Sequence, residues 1–147
     1  GFGYSQILPI ITKLWFATNG KNNRYLRSVG MIRDKINNVI LMEQPELHLH
    51  PAYQAKIADA FINSVNSDWY DGDPSSRLKL IVETHSDTIL NRIGRRVREK
   101  VIKAEDVNII LFEKGVEDNV THIKQTTFNE KGQIIAWPYG FFDPFED

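Results

Sequence analysis

The sequence predicts an α/β fold built on a mostly parallel sheet. Short apolar runs at residues 39–42, 80–82 and 107–112 have the length of strands. Two segments between them, residues 51–65 and 86–97, repeat their apolar residues at helical spacing. The order strand–helix–strand–helix–strand implies right-handed crossovers and a parallel sheet, with an antiparallel strand allowed at its end.

The first element is a helix over residues 5–17, with Ser5 as its cap and Ile7, Ile10, Ile11 and Leu14 as its apolar stripe. Pro9 is expected in the first turn, where a missing N–H costs least. Residues 18–38 are polar and basic, with Asn19-Gly20 as a turn signal, and read as a loop with room for a short helix. The run Val39-Ile40-Leu41-Met42 fits a strand buried on both faces, as parallel sheets require. Pro51 then opens a helix whose core positions are Ile57, Phe61 and Val65. Residues 67–77 are a loop by composition.

The second strand, Leu80-Ile81-Val82, ends in Glu83-Thr84-His85, and Ser86 caps the following helix, with Ile89, Ile93 and Val97 facing inward. A third strand covers 107–112 and a fourth 120–128, joined by a turn near Glu117-Asp118-Asn119. Residues 133–147 are rich in aromatics and Pro without a clear period.

Composition narrows the function. The 147 residues suit one domain with a real core. Lys and Arg number 18 against 19 Asp and Glu, a net charge of −1, which argues against a general polyanion binder and leaves a local basic patch open. The absence of Cys excludes disulfides, thiolate zinc sites and cysteine nucleophiles, and suits a reducing, cytoplasmic compartment. No apolar run approaches the roughly 20 residues of a membrane span, and no signal peptide is visible. The sequence opens at Gly1 without Met and already within a motif, so a fragment of a longer protein is expected.

In parallel α/β sheets chemistry sits at the carboxyl ends of the strands. Glu43 and Gln44 follow the first strand directly, and His85 lies just beyond the second. A carboxylate there suits Mg²⁺, which takes one or two carboxylates and completes its shell with phosphate and water. Gln44 could orient a water, and His85 could reach a γ-phosphate. The turn Gly1-Phe2-Gly3-Tyr4-Ser5-Gln6, running into a helix, could offer backbone N–H groups to phosphate oxygens.

With these residues in order, the chain resembles the C-terminal half of an ABC-type ATPase domain of the AAA family. It is similar to the group holding the SMC proteins, the RecF-like ATPases and the overcoming-lysogenization-defect nucleases. Gly1 to Gln6 resembles the signature motif, and residues 39–46 resemble the Walker B strand with its acidic end. Leu47-His48-Leu49-His50-Pro51 matches a bacterial segment lying where the D-loop begins, and Val82-Glu83-Thr84-His85-Ser86 resembles the switch-histidine strand. Trp137-Pro138-Tyr139-Gly140-Phe141-Phe142-Asp143 resembles the tail of a bacterial subfamily, placing that tail at residues 129–147.

The resemblance implies a three-layer P-loop NTPase-like lobe over 1–147 that lacks the P-loop half. It implies ATP and Mg²⁺ as cofactors, Glu43 on the metal, and Gln44 and His85 as catalytic residues. Gly1, Gly3, Ser5 and Gln6 would complete the nucleotide site of a partner in an ATP-gated homodimer. Such ATPases often serve DNA repair or phage defence.

Two departures stand out. No Gly-x-x-x-x-Gly-Lys-Ser/Thr occurs, so the phosphate cradle is expected upstream and the chain alone is expected to be inactive. Gln44 stands where the family usually has a Glu general base, whose loss typically costs about 10²–10⁴-fold in rate. Glu-Gln-Pro-Glu is natural in the subfamily, with slow hydrolysis or another base, or Gln44 is an engineered trap of the ATP state; both readings stay open.

Plainer readings stand beside the sharp ones. The His48-x-His50 pair with Glu46 suits a metal, and a metal nuclease is a third reading, but rings satisfying backbone groups in a turn are the ordinary expectation. Arg92, Arg95, Arg96 and Arg98, joined by Lys100, read first as a solvated face and second as a phosphate or DNA contact. The aromatic tail reads first as cover for a sheet edge and second as a partner surface. A non-catalytic module that docks to a separate P-loop chain is the alternative to an ATPase lobe.

Overall fold

The computed structural model describes residues 2–19, 39–67, 78–115 and 119–136. Within them the chain is α/β and divides into two compact units, residues 1–89 and 90–147.

The first unit contains helix α1 (Phe2–Asn19), strand β1 (Val39–Glu43), helix α2 (Pro51–Asn66) and strand β2 (Lys79–Glu83). Strands β1 and β2 pair in parallel, with Ile40 opposite Leu80, Met42 opposite Val82 and Glu43 opposite Glu83. One sheet face carries Ile40, Met42, Leu80 and Val82, which pack with Leu14 of α1, Leu49, and Ile57 and Phe61 of α2. Helix α2 starts where expected because Pro51 needs no N–H partner at the first position, and the His50 Nδ1 accepts the Ala52 N–H at 3.2 Å.

Several sequence expectations for this unit are corrected. The β1 run is not buried on both faces: Val39, Leu41 and Ile81 are 50%, 70% and 56% exposed, because both helices of the unit pack on the other face. Helix α1 begins at Phe2, so Ser5 lies inside the helix and does not cap it, and Pro9 sits in the helix interior. Ser5 has the residue type of a cap, but the Gly3-containing stretch ahead of it is helical as well. Ile11 of the expected stripe points outward, whereas Leu14 is buried and Ile7 and Ile10 pack against the core. Of the loop expected over 18–38, Thr18 and Asn19 are the last residues of α1 and the remainder lies outside the described residues, as does most of the 67–77 loop.

Helix α3 (Asp87–Arg98) carries the chain from the first unit into the second. Its cap is as expected: the Ser86 Oγ accepts the Ile89 N–H at 3.1 Å. Asp87 in the first turn and Arg95, Arg96 and Arg98 in the last complement the helix dipole. Ile89 and Val97 are buried, and Ile93 is half-buried. On the outer face Glu99 joins Arg95 at 2.8 Å and Arg96 at 2.7 Å, the arrangement of a solvated, charge-paired face.

The second unit continues with a 3₁₀ turn (Ala104–Asp106), strand β3 (Ile109–Lys114) and strand β4 (Thr121–Thr126). Strand β3 does not extend the parallel sheet. It pairs antiparallel with β4, Leu111 opposite Lys124 and Phe112 opposite Ile123. The physical reason is in its burial: Ile109 and Leu111 are buried while Ile110 and Phe112 are exposed, the alternation of a hairpin with one solvated face. Thr127 secures the end of the hairpin, its Oγ1 lying 2.9 Å from the Ala104 carbonyl and 2.6 Å from that of Val107. Helix α3 and the turn at 129–132 approach backbone to backbone: a Cβ built on Gly94 would lie 2.3 Å from the Gly132 carbonyl oxygen. Buried Phe128 lines the same contact. No described helix is long and apolar enough to cross a membrane.

Candidate functional site

The carboxyl ends of β1 and β2 lie side by side, since Glu43 and Glu83 are register partners. Beyond them the chain is neither strand nor helix until α2 and α3 begin. The site is made by residues 43–50 and 83–86, all in the first unit.

Glu43 is the last residue of β1, with its side chain exposed. Gln44 follows with φ 43°, a left-handed conformation unusual for a residue with a Cβ. Its N–H is donated to the Glu83 carbonyl at 2.8 Å, so the pairing of the two strands continues one residue past their ends. Pro45 and Glu46 are buried. The turn then closes with Leu47 N–H donated to the Gln44 carbonyl at 3.2 Å and Leu49 N–H to the Glu46 carbonyl at 3.0 Å. His48, at φ 61°, is the second left-handed residue of this loop.

His85 lies two residues past β2, its side chain exposed. Its backbone N–H is donated to Glu46 Oε1 at 2.8 Å, a contact between residues 39 apart in sequence. Ser86 is buried and donates its hydroxyl to Gln54 Oε1 at 2.6 Å. Gln54 in turn donates its Nε2 to the Leu49 carbonyl at 2.9 Å. The loop after β1 and the loop after β2 are therefore joined by side chains from both ends.

The sequence-predicted residues fall in two places. Glu43, Gln44 and His85 share the carboxyl edge of the parallel pair. Gly3, Ser5 and Gln6 are in the first turns of α1, and Gly1 lies outside the described residues. Residues 2–6 of the expected turn are thus the start of a helix. Its leading N–H groups are the ones a helix cannot bond internally. The Gln6 side-chain oxygen is buried and has no hydrogen-bond partner among the described residues.

Glu46 is separated from the strand end by Pro45. The structure turns it back under the loop and onto the His85 amide. Gln54, which bridges Leu49 and Ser86, carried no sequence signal, since it reads as an ordinary polar position on α2. His50 is taken up as the α2 cap. Among the described residues no three His, Asp or Glu side chains gather in a way that would hold a metal ion. A strand-end carboxylate such as Glu43, with Glu83 as its register partner, still has the donor chemistry for Mg²⁺, whose other ligands are phosphate and water. The tail aromatics Trp137, Tyr139, Phe141 and Phe142 lie outside the described residues.

Comparison with known families gives two matches. A family model described as an AAA ATPase domain matches residues 1–90, and one described as a protein of unknown function (DUF3696) matches residues 102–147. Neither curated proteins nor solved structures give a match.

Proposed function

We propose, from the premise that the chain belongs to the AAA ATPase domain family through residues 1–90, that it is the C-terminal lobe of an ABC-type ATPase of the SMC and RecF-like group. The observation that carries this reading is the shared edge of β1 and β2. It brings an acid, a neutral amide and an imidazole to adjacent strand ends, where α/β sheets bind ligands.

In this reading ATP is hydrolysed to ADP and phosphate. Mg²⁺, when bound, neutralises charge on the phosphate oxygens, and Glu43 holds it directly or through water. Gln44 orients the attacking water by hydrogen bonding but cannot take its proton, so hydrolysis is slow or relies on another base. His85 meets the γ-phosphate. Gly1, Gly3, Ser5 and Gln6, at and just before the start of α1, complete the site of a second copy, making dimerisation depend on ATP. DNA is a candidate partner through the basic α3 face, in repair or phage defence.

The exposed apolar face of Val39, Leu41 and Ile81 supports a third layer, because parallel strands are almost always covered on both faces. The phosphate cradle belongs to an upstream P-loop half, since no P-loop motif occurs in the 147 residues. Titration calorimetry of the 147-residue chain with Mg-ATP is expected to give no tight binding, and binding returns when the P-loop half is supplied. Micromolar affinity of the chain alone would overturn the assignment.

Gln44 and the missing P-loop motif also favour a second reading, a non-catalytic module that docks to a separate P-loop chain. ATPase activity rescued by adding a P-loop half, and lost in His85→Ala, separates the first reading from the second.

A further inference from the structure

We propose that Glu46 is a positioning residue that fixes the main chain of His85 to the loop following β1, so that the two strand ends act as one unit. The inference rests on the ATPase reading for its functional half and on geometry alone for its structural half.

The geometry is a double tie. Glu46 Oε1 accepts the His85 N–H at 2.8 Å, while Gln54 spans from the Leu49 carbonyl, at 2.9 Å, to the Ser86 hydroxyl, at 2.6 Å. Residues 84–86 belong to neither strand nor helix, so no ladder supplies partners for their N–H groups. Glu46 serves that of His85, and the Thr84 Oγ1 serves that of Ser86 at 3.1 Å. The His85 backbone is thereby held by a residue only three positions beyond Glu43.

The choice of an acid is informative. A glutamine or a serine could accept one N–H without burying a second carboxylate oxygen. Glu46 is 8% exposed, and its Oε2 is buried with no hydrogen-bond partner among the described residues. Leaving an acceptor in that state is costly. What the carboxylate supplies in return is a charge-assisted bond, roughly twice as strong as a neutral one. The bond is directed at the one amide that sets where His85 stands. Around it the backbone is bent into left-handed conformations at Gln44 and His48, which flank the acid at φ 43° and 61°. Glu46 touches neither substrate nor the reacting atoms in this assignment; it acts through His85.

The test uses the 147-residue chain and the ATPase assembly that contains it. In the chain, amide hydrogen exchange is followed by NMR. Glu46→Ala is expected to speed exchange of the His85 amide by roughly tenfold or more relative to core amides such as that of Ile57. Glu46→Gln keeps a neutral acceptor and is expected to restore part of the protection. In the assembly, Glu46→Ala is expected to lower kcat by about 10–100-fold with KM for ATP little changed, again with partial rescue by Glu46→Gln.

Unchanged His85 exchange in a folded Glu46→Ala chain overturns the tie. Faster exchange with kcat intact overturns the positioning role. An assembly whose unaltered form has no ATPase activity defeats the ATPase reading and with it the functional half, while the exchange result still decides the structural half. If Glu46→Ala does not fold, Glu46→Leu, which fills the same space without an acceptor, takes its place, and His85 exchange equal to that of the unaltered chain there overturns the proposal.

Discussion

Replacing Gly94 by Ala tests the closest backbone approach in the second unit. A methyl at Gly94 would sit 2.3 Å from the Gly132 carbonyl oxygen and 2.9 Å from the Phe128 ring, where a carbon in ordinary contact needs about 1 Å more. The obstacle is main chain, and it cannot swing aside. Gly132 stands at φ +74° in a turn fixed by its N–H to the Asn129 carbonyl at 2.9 Å, and the Asn129 N–H returns to the Gln133 carbonyl at 2.8 Å. Phe128 is buried and has no room to retreat. Overpacking of this kind costs about 1–3 kcal/mol, and the rigid obstacle argues for the upper end. Alanine in a helix interior recovers about 1 kcal/mol over glycine. The net loss is about 2 kcal/mol, or about a 30-fold change in an equilibrium constant. Amide exchange in β3 and β4 should therefore accelerate by about that factor in Gly94→Ala. Asn91→Ala, on the exposed side of the same helix, should leave it unchanged or slower. If Gly94→Ala exchanges as slowly as the unaltered chain, α3 and the 129–132 turn do not meet as described.

Two further outcomes are expected. Ile57 is 1% exposed at the centre of the first unit, so Ile57→Ala should destabilise it by about 2–5 kcal/mol, read as a lower urea midpoint with an unchanged slope. The Arg95 hydrogen bond, then that of Arg96, holds the Glu99 carboxyl below the usual carboxylate range. Its folded value is depressed, so this support for the end of α3 is present above the ordinary carboxylate range and is lost as pH falls through the lowered value. Carboxyl NMR should place the Glu99 midpoint below that of an unpaired glutamate, and Arg95→Ala should raise it.

What could be read from the sequence depended on how local the cause was. The Ser86 cap, the Pro51 start of α2 and the ends of β1 and β2 are set by neighbours within a few residues, and the residues announce them. Glu43, Gln44 and His85 stand out in the sequence because strand ends in α/β sheets are where chemistry collects, and the structure puts all three at that edge. Burial on two faces was not legible. Val39, Leu41, Ile110 and Phe112 belong to runs that look wholly interior, and only the placement of helices decides which alternate residues are covered. Parallel or antiparallel pairing of β3 was equally hidden, since the run 109–112 is apolar at every position. The bond from Glu46 to His85 was hidden for the opposite reason. The two residues are 39 apart in sequence, and no local pattern marks a carboxylate that folds back beneath its own turn.

The left-handed residues separate ordinary turns from the loop that matters. Lys100, at φ 58°, ends α3 in a Schellman motif, with its N–H on the Val97 carbonyl at 2.9 Å and the Val101 N–H on that of Arg96 at 2.9 Å. Asn119, at φ 55°, stands at the hairpin turn, where such a conformation is common for Asn. Gln44 and His48 have neither excuse. No helix ends and no hairpin closes at residues 44–48, yet two residues with side chains are held in a costly conformation on either side of a buried acid. Strain of that kind persists only where surrounding contacts over-determine it. Here those contacts are the Gln44 N–H on Glu83, the His85 N–H on Glu46 and the Gln54 bridge. All of them run between the ends of β1 and β2. Ala136, at φ 51°, is left-handed as well but lies in the second unit; in the first unit the described left-handed residues are Gln44 and His48, and both stand at the edge that carries Glu43, Gln44 and His85.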